Sequence, residues 1–238
     1  MVPEGTSVTL VEPQYPVNLG HTARLIENFG VRKLYLVNPR ADVSVAAVYA
    51  SHAAHVLDEA EVVTLREVRE RNELLVATTA VRATRKSNVV RRMVRPEGVR
   101  AIAEAAGTSS LVFGRDTTGL TNEEIAMCDV TTTIDTAPDY RALNLGHAVA
   151  IMLYAVSRAP ARRGPSQTRR ARLVFADRLH DLAVASQLQP HKVRNLREQG
   201  KRMAAGSGLS DRDLQMLSGV IAKAVLRIGE LQGLDSKT

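Results

Sequence analysis

The stretch Leu111-Val112-Phe113-Gly114-Arg115-Asp116-Thr117-Thr118-Gly119-Leu120-Thr121 reads as a strand, a glycine-bounded loop and a helix start. The apolar run Leu111–Gly114 predicts a buried strand. Thr121 followed by Glu124 has capping-box spacing, so a helix should begin just after Gly119-Leu120 and cover Asn122–Asp129. Loops that join a strand end to a helix start are where doubly wound sheets gather their ligands. Thr136–Leu143 is a second loop of this kind.

The same alternation extends outward from that stretch. Strands are predicted at Val8–Glu12, Lys33–Asn38, Leu74–Thr78 and Val130–Asp135, and helices at Leu19–Phe29, Pro96–Ala106 and Leu143–Arg158. Such alternation implies an α/β domain with a largely parallel sheet over residues 1–158. Residues 159–167 form a basic linker punctuated by Pro and Gly. Beyond it, 168–238 carries helix patterns near 168–186, 190–204 and 210–230 and no strand signal. The last has Leu214, Leu217, Ile221, Val225 and Ile228 at helical spacing and Ser210 as N-cap. A module this small makes little core, so it should pack against the main domain or a second subunit.

Composition excludes several classes. With 45% hydrophobic and 24% charged residues in 238, the chain is an ordinary globular one. The longest apolar run, Ala148–Val156, is far short of the roughly 20 residues that cross a bilayer, and no apolar leader follows Met1. A soluble cytoplasmic protein without membrane contact is expected. Cys128 is the only cysteine, so no intrachain disulfide or thiolate-rich metal site forms, and a buried structural thiol is expected. His52 and His55 lack an acidic or thiol partner in sequence, and no metal site is expected. Dinucleotide, phosphate-loop, zinc-protease and serine-elbow motifs are absent.

The net charge of +7 is unevenly spread: residues 1–158 are net −1 and 159–238 net +8. One basic cluster holds Arg82, Arg85, Lys86, Arg91, Arg92, Arg95 and Arg100; a second, over 162–202, includes Arg169, Arg170, Arg172, Arg194, Arg197, Lys201 and Arg202. Two clusters in a chain of pI 9.9 point to a polyanion. Aromatic residues are nearly missing from both, which favours backbone recognition of a folded RNA or duplex over stacking on single strands.

Three segments carry a more specific signal: Asn18-Leu19-Gly20-His21-Thr22-Ala23-Arg24, the 111–121 stretch, and Tyr140-Arg141-Ala142-Leu143-Asn144-Leu145. In this order they resemble the signature motifs of the SPOUT superfamily, in its TrmH-like branch of RNA ribose 2′-O-methyltransferases, over residues 7 to about 158. The helical extension resembles that of TrmJ-type tRNA methyltransferases, which modify the ribose at position 32 of the anticodon loop.

The resemblance implies a parallel-sheet α/β fold whose C-terminal segment is threaded into a deep trefoil knot forming the S-adenosylmethionine pocket. It also implies a homodimer with the active site near the subunit interface. Carried over by position, Thr78, Thr79, Ala80, Gly114, Ile134, Arg141, Ala142 and Leu143 would line the cofactor pocket. Arg24 matches the catalytic arginine, and Asn18 and Asn144 the asparagines of the first and third motifs. Arg24 would act on the ribose 2′-OH, either as a base of depressed pKa or by stabilising developing alkoxide charge. The basic residues named above would grip tRNA phosphates. Two positions depart from the pattern: Asp116 stands where Glu is usual, and Ala142 where bacterial members carry Ser. The alternatives are action on ribosomal RNA or tRNA position 34, or an inactive RNA-binding homologue.

Overall fold

The computed structural model describes residues 1–80, 93–159, 167–205 and 207–235, in two compact units, Met1–Arg163 and Gly164–Thr238. Among the described residues of the first unit, seven strands form one parallel sheet. They are β1 (Thr6–Val11), β2 (Lys33–Val37), β3 (Glu61–Val62), β4 (Leu74–Thr78), β5 (Met93–Val94), β6 (Ser109–Phe113) and β7 (Val130–Thr132), in the spatial order β3-β2-β1-β6-β4-β7-β5. The central strands β1 and β6 are buried along their whole length, as expected of a parallel sheet covered on both faces. Their hydroxyls are paired: Thr9 and Ser110 share a 2.7 Å hydrogen bond across the two strands, and Ser7 Oγ donates to the Ser109 carbonyl at 2.9 Å.

Helices cover the sheet. α1 (Pro16–Phe29) starts with Pro at its first turn and stops at Gly30, whose φ of 64° closes the C-terminus. It packs on α2 (Val43–Ala50) so tightly that a Cβ on Gly20 would lie 2.4 Å from the Ala46 carbonyl oxygen. A 3-10 turn, α3 (Ala54–Asp58) and α4 (Leu65–Arg71) follow. α5 (Pro96–Ala106) covers the observed span of the predicted helix, α6 (Asn122–Met127) starts at the predicted Thr121–Glu124 capping box, and α7 (Leu145–Arg158) packs against α1 and α5.

Three expectations are corrected, and several short elements are additional to those expected. The strand predicted to Asp135 stops at Thr132, because the chain turns out of the sheet towards the cleft described below. β3 and β5, two residues each, and α2 to α4 were not predicted. Cys128 is half-buried, not buried, with its thiol towards the Glu124 carbonyl. Arg100, counted in the first basic cluster, is a clamp: its Nη1 donates to the carbonyls of Met1, Val156 and Ser157, at 2.9, 3.3 and 3.1 Å, and its Nε pairs with Glu104. The free carbonyls at the end of α7 thereby gain a cationic donor.

The second unit holds α8 (Arg169–Ala185), α9 (Pro190–Ala205) and α10 (Asp211–Asp235). Its core is small, with Ala171, Phe175, Ala204 and Leu214 buried together. Thr168 caps α8 and also donates from both its N–H and its hydroxyl to Asp211, while Ser210 and Asp213 make a reciprocal cap on α10. Ser210 therefore stands where the sequence placed an N-cap.

Candidate active site

The three signature segments, in which Asn18 lies 98 residues from Asp116 and 126 from Asn144 in sequence, meet at one polar relay. Asn18, on the first turn of α1, is 4% exposed. Its Nδ2 donates to Asp116 Oδ1, and its Oδ1 accepts from Asn144 Nδ2 at 2.9 Å. Asp116 Oδ2 accepts the Gln14 backbone N–H at 2.8 Å, and Asn144 Oδ1 accepts the His147 N–H at 3.3 Å, capping α7. The direction of every bond follows from chemistry. A carboxylate only accepts, so Asn18 must turn its NH2 to Asp116; its carbonyl is left for Asn144, whose own carbonyl is left for the helix.

Asp116 is held in a tight loop. A Cβ on Gly114 would lie 2.1 Å from the carbonyl carbon of Gly119 and 2.2 Å from the Leu120 nitrogen, so no side chain fits there. Arg115 and Gly119 exchange two backbone hydrogen bonds across the loop, 3.2 and 3.0 Å long. The Arg115 guanidinium lies between Glu12, at the end of β1, and Glu124, in the first turn of α6, with four contacts of 2.9 to 3.2 Å. Hydrogen bonds to Glu124 and then Glu12 push the Arg115 pKa up. The Glu12 carboxyl is lowered, first by its hydrogen bond with Arg115; burial raises the Glu124 carboxyl, but its bonds with Arg115 and the Thr121 N–H leave it lowered.

Beside this loop, at the C-terminal ends of β4, β6 and β7, opens a cleft of about 480 Å³. Thr78, Thr79, Ala80, Gly114, Ile134, Arg141, Ala142 and Leu143 all line it. Phe113, Leu120, Ile125, Leu145 and Met152 complete its apolar walls, and Asp116 its polar edge. Thr78 Oγ1 is fixed on the Val112 carbonyl at 3.0 Å, and the Thr79 N–H on that of Thr132. Thr132 also lines the cleft, and its buried hydroxyl has no partner among the described residues. The turn before α7 is held by Arg141, whose Nε donates to the Pro138 carbonyl at 3.0 Å and whose own carbonyl accepts from Thr136. Beside it, Tyr140 is 80% exposed.

Asn18 and Asn144 are thus brought together at the cleft edge, whereas Arg24 is outside the cleft lining, exposed two turns further along α1. Sequence reading missed Arg115, Thr132 and the apolar walls. For Arg115 no sequence signal was available, since its partners lie 103 and 9 residues away.

Of the expected phosphate contacts, Arg82, Arg85, Lys86, Arg91 and Arg92 lie outside the described residues, as do the side chains of Arg194 and Arg202. Arg170 is exposed, Arg169 and Lys201 are half-buried, and the exposed Arg197 pairs with Asp177. Arg172 is a correction. At 3% exposure its guanidinium is enclosed, with Nη1 towards the Gln167 carbonyl, and is not presented to a phosphate. Among the described residues no three His, Cys, Asp or Glu side chains converge as metal ligands. His55 faces Glu27 at 3.3 Å.

The chain is 34% identical over 157 residues to the tRNA (cytidine-2′-O-)-methyltransferase TrmJ of Sulfolobus acidocaldarius, covering 63% of this chain and 64% of that protein. It is 38% identical over 157 residues to the tRNA (cytidine/uridine-2′-O-)-methyltransferase TrmJ of Escherichia coli K12, covering 64% and 62%. The matched part is therefore a little under two thirds of either relative's length. The crystal structure of TrmJ from Z. mobilis ZM4 superposes on 94% of this chain and 99% of its own, with a TM-score of 0.63 and 25% identity. The model of the SpoU rRNA methylase family matches residues 5–154, from the first strand into the last helix of the sheet unit, and the chain belongs to that family.

Proposed function

We propose that this protein transfers the methyl group of S-adenosylmethionine to a ribose 2′-hydroxyl of tRNA, at the pyrimidine nucleotide in position 32 of the anticodon loop. The observation that carries this reading is the meeting of the three segments at one relay, on the edge of a cleft lined by all eight residues expected around the cofactor. The names of the curated relatives, both tRNA 2′-O-methyltransferases, support the substrate.

The residues fit the cofactor. A cleft of about 480 Å³ is within the usual size for small-molecule sites. Ile134, Leu143, Phe113 and Met152 offer apolar walls to an adenine, the β4 and β6 ends offer backbone groups, and the orphaned Thr132 hydroxyl offers a buried polar contact. When bound, the cofactor supplies a sulfonium-activated methyl group. The protein's share is alignment, which contributes about 7–11 kcal/mol in favourable cases. The Asn18–Asp116–Asn144 relay fixes α1 against the cleft, and Arg24, with a permanent charge, stabilises the oxyanion developing at the 2′ position and holds an adjacent phosphate.

Residues 1–158 act as the methyl-transfer domain, 159–167 as a basic linker and 168–238 as the tRNA-binding module. The chain after β7 is threaded as the family's trefoil knot. The protein works in the cytoplasm as a homodimer. The exposed Val48, Tyr49, Ile151 and Tyr154 on α2 and α7, either side of α1, support a self-interface there. Among the described residues no helix is long and apolar enough to cross a membrane. Phosphate contacts come from the two basic clusters without Arg100 and Arg172.

The test is transfer of labelled methyl from S-adenosylmethionine to unmodified tRNA, with the nucleoside identified by mass spectrometry and its position mapped. A 2′-O-methylpyrimidine at position 32 is the expected product. Product at position 34 or in ribosomal RNA would reassign the substrate, and cofactor binding without transfer to any RNA would overturn the enzymatic reading.

A further inference from the structure

Arg115 lines the cleft, and a guanidinium carries five N–H donors in one planar fork. Nε donates to Glu12 Oε2 at 3.2 Å, and Nη1 to Glu124 Oε2 at 3.0 Å and the Gly119 carbonyl at 3.2 Å. Nη2 donates to Glu12 Oε1 at 3.0 Å and Glu124 Oε1 at 2.9 Å. Every donor of the fork is thus committed within the protein, and none is left for a phosphate or for the cofactor. Each partner also ties the loop to a different element. Glu12, just past β1, has a φ of 46°, in the left-handed region that side chains rarely adopt. Its Oε1 also accepts from Asn38, just past β2, whose φ is 48°. Strained backbone of this kind persists where the surrounding structure fixes it, and here it brings the Glu12 carboxylate onto Arg115. Glu124 Oε2 accepts the Thr121 N–H at 2.7 Å and so binds the start of α6 into the same bracket.

Resting on the function proposed above, we infer that Arg115 is a positioning residue for S-adenosylmethionine: bracketed by Glu12 and Glu124, it holds residues 114–120 in the shape that receives the cofactor. Gly114, Asp116, Thr117, Thr118, Gly119 and Leu120 all line the cleft, so the shape of this one loop sets much of its wall. Without the guanidinium, two carboxylates that shared one nitrogen face each other, and Glu12 already raises the Glu124 carboxyl through its charge. The loop and the start of α6 then lose their tie to the end of β1. Apparent cofactor affinity falls by the fraction of molecules that still hold the loop in place. The transfer step itself, once the cofactor is seated, does not use the guanidinium.

The test uses the full-length protein with Arg115→Gln, Arg115→Lys, Glu12→Gly and Arg40→Gln. S-adenosylmethionine affinity is read by calorimetry, cofactor KM and kcat at saturating cofactor by methyl transfer to tRNA, and folding by thermal melting. Arg115→Gln should bind cofactor about ten- to a hundredfold more weakly, the factor that one lost charged hydrogen bond gives. Its KM should rise in step, with kcat within about threefold of the parent. Arg115→Lys keeps the charge without the fork and should fall between the two. Glu12→Gly accepts the left-handed backbone freely, so its melting temperature should stay near the parent's while cofactor affinity still falls. Arg40→Gln removes an exposed cation 4.0 Å from Glu12 Oε2 and outside the cleft lining, and should change none of these readings. Cofactor affinity reduced less than about threefold in folded Arg115→Gln, or a fall in kcat at unchanged affinity, overturns the assignment. An equal loss in Arg40→Gln also overturns it, because the effect is then one of general charge. If Arg115→Gln does not fold, Glu12→Gly decides by the same limits. A parent that binds cofactor but methylates no RNA overturns the proposed function while the calorimetry still decides this inference; a parent that binds no cofactor overturns both.

Discussion

The relay joining Asp116, Asn18 and Asn144 has a direction, and that direction can be reversed by exchange. Asp116→Asn keeps the shape of the side chain but offers one acceptor where the Gln14 N–H and Asn18 Nδ2 need two. Asn18 can respond by turning over. Its NH2 then points at Asn144, which must turn its own NH2 towards the His147 N–H that it now caps. Asn144→Asp creates the converse conflict, because the Asn18 amide then lies between two carboxylates and its carbonyl faces one of them. Each single change forfeits a hydrogen bond to a charged group, about 1.5–3 kcal/mol. At roughly 2–4 °C per kcal/mol for a domain of this size, each should lower the melting temperature by about 3–12 °C. In Asp116→Asn/Asn144→Asp the relay is complete again in the opposite sense, and the carboxylate sits at a helix N-terminus, where it is favoured. The double variant should therefore recover most of the loss, with a coupling free energy of about 2 kcal/mol in a denaturant-unfolding cycle. Strictly additive losses would refute a directional relay.

Three further outcomes follow from the same geometry. Arg24→Ala should abolish methyl transfer while leaving cofactor affinity, measured by calorimetry, nearly unchanged, because the side chain is exposed and lies outside the cleft lining. Glu124 is lowered below its usual 4.5 in the folded protein, so its contribution to stability is fully present above that value and is lost as pH falls through the folded value; unfolding measured from pH 7 downward should show this loss, and Glu124→Gln should shrink it. Removal of residues 160–238 should weaken tRNA binding and reduce the slope of log affinity against log salt, since each lost phosphate contact removes nearly one released counterion; unchanged affinity in a folded truncation would assign the module another role.

How much was legible in the sequence depended on the range of the interactions. Helices with local punctuation were readable: α5 has Pro at its start and Gly107 after its end, and α6 has its capping box. α4 was missed although Thr64 and Glu67 form the same box, a signal present in the sequence and passed over. α2 was missed for a different reason: Val43–Ala50 carries apolar residues all round, so no helical stripe stands out. β3 and β5 are too short for any alternation to show. The family was readable from three short segments, but the relay was not, since its bonds span 98 and 126 residues. Charge counting failed at Arg100 and Arg172, because sequence gives the number of cations and not their burial.

The two departures from the family pattern are absorbed by the local structure. Asp116 is one methylene shorter than the usual Glu, yet it reaches both Gln14 and Asn18 because the loop that carries it is drawn in. Gly114 permits the close approach of Gly119, and Arg115, held by Glu12 on one side and Glu124 on the other, ties that loop to the end of β1. Ala142 lacks a hydroxyl, but the turn around it is already held by Arg141 on Pro138 and Thr136 on the Arg141 carbonyl, so the missing group leaves no unfilled structural role. A binding protein that had lost its chemistry would have little use for a nearly buried amide between a carboxylate and a second amide. Polar networks of that kind are worth less to stability than apolar packing of the same volume unless every member is satisfied. Here every donor and acceptor identified along the relay is matched, and the relay ends at the wall of the cleft, which favours retained catalysis over a vestigial site.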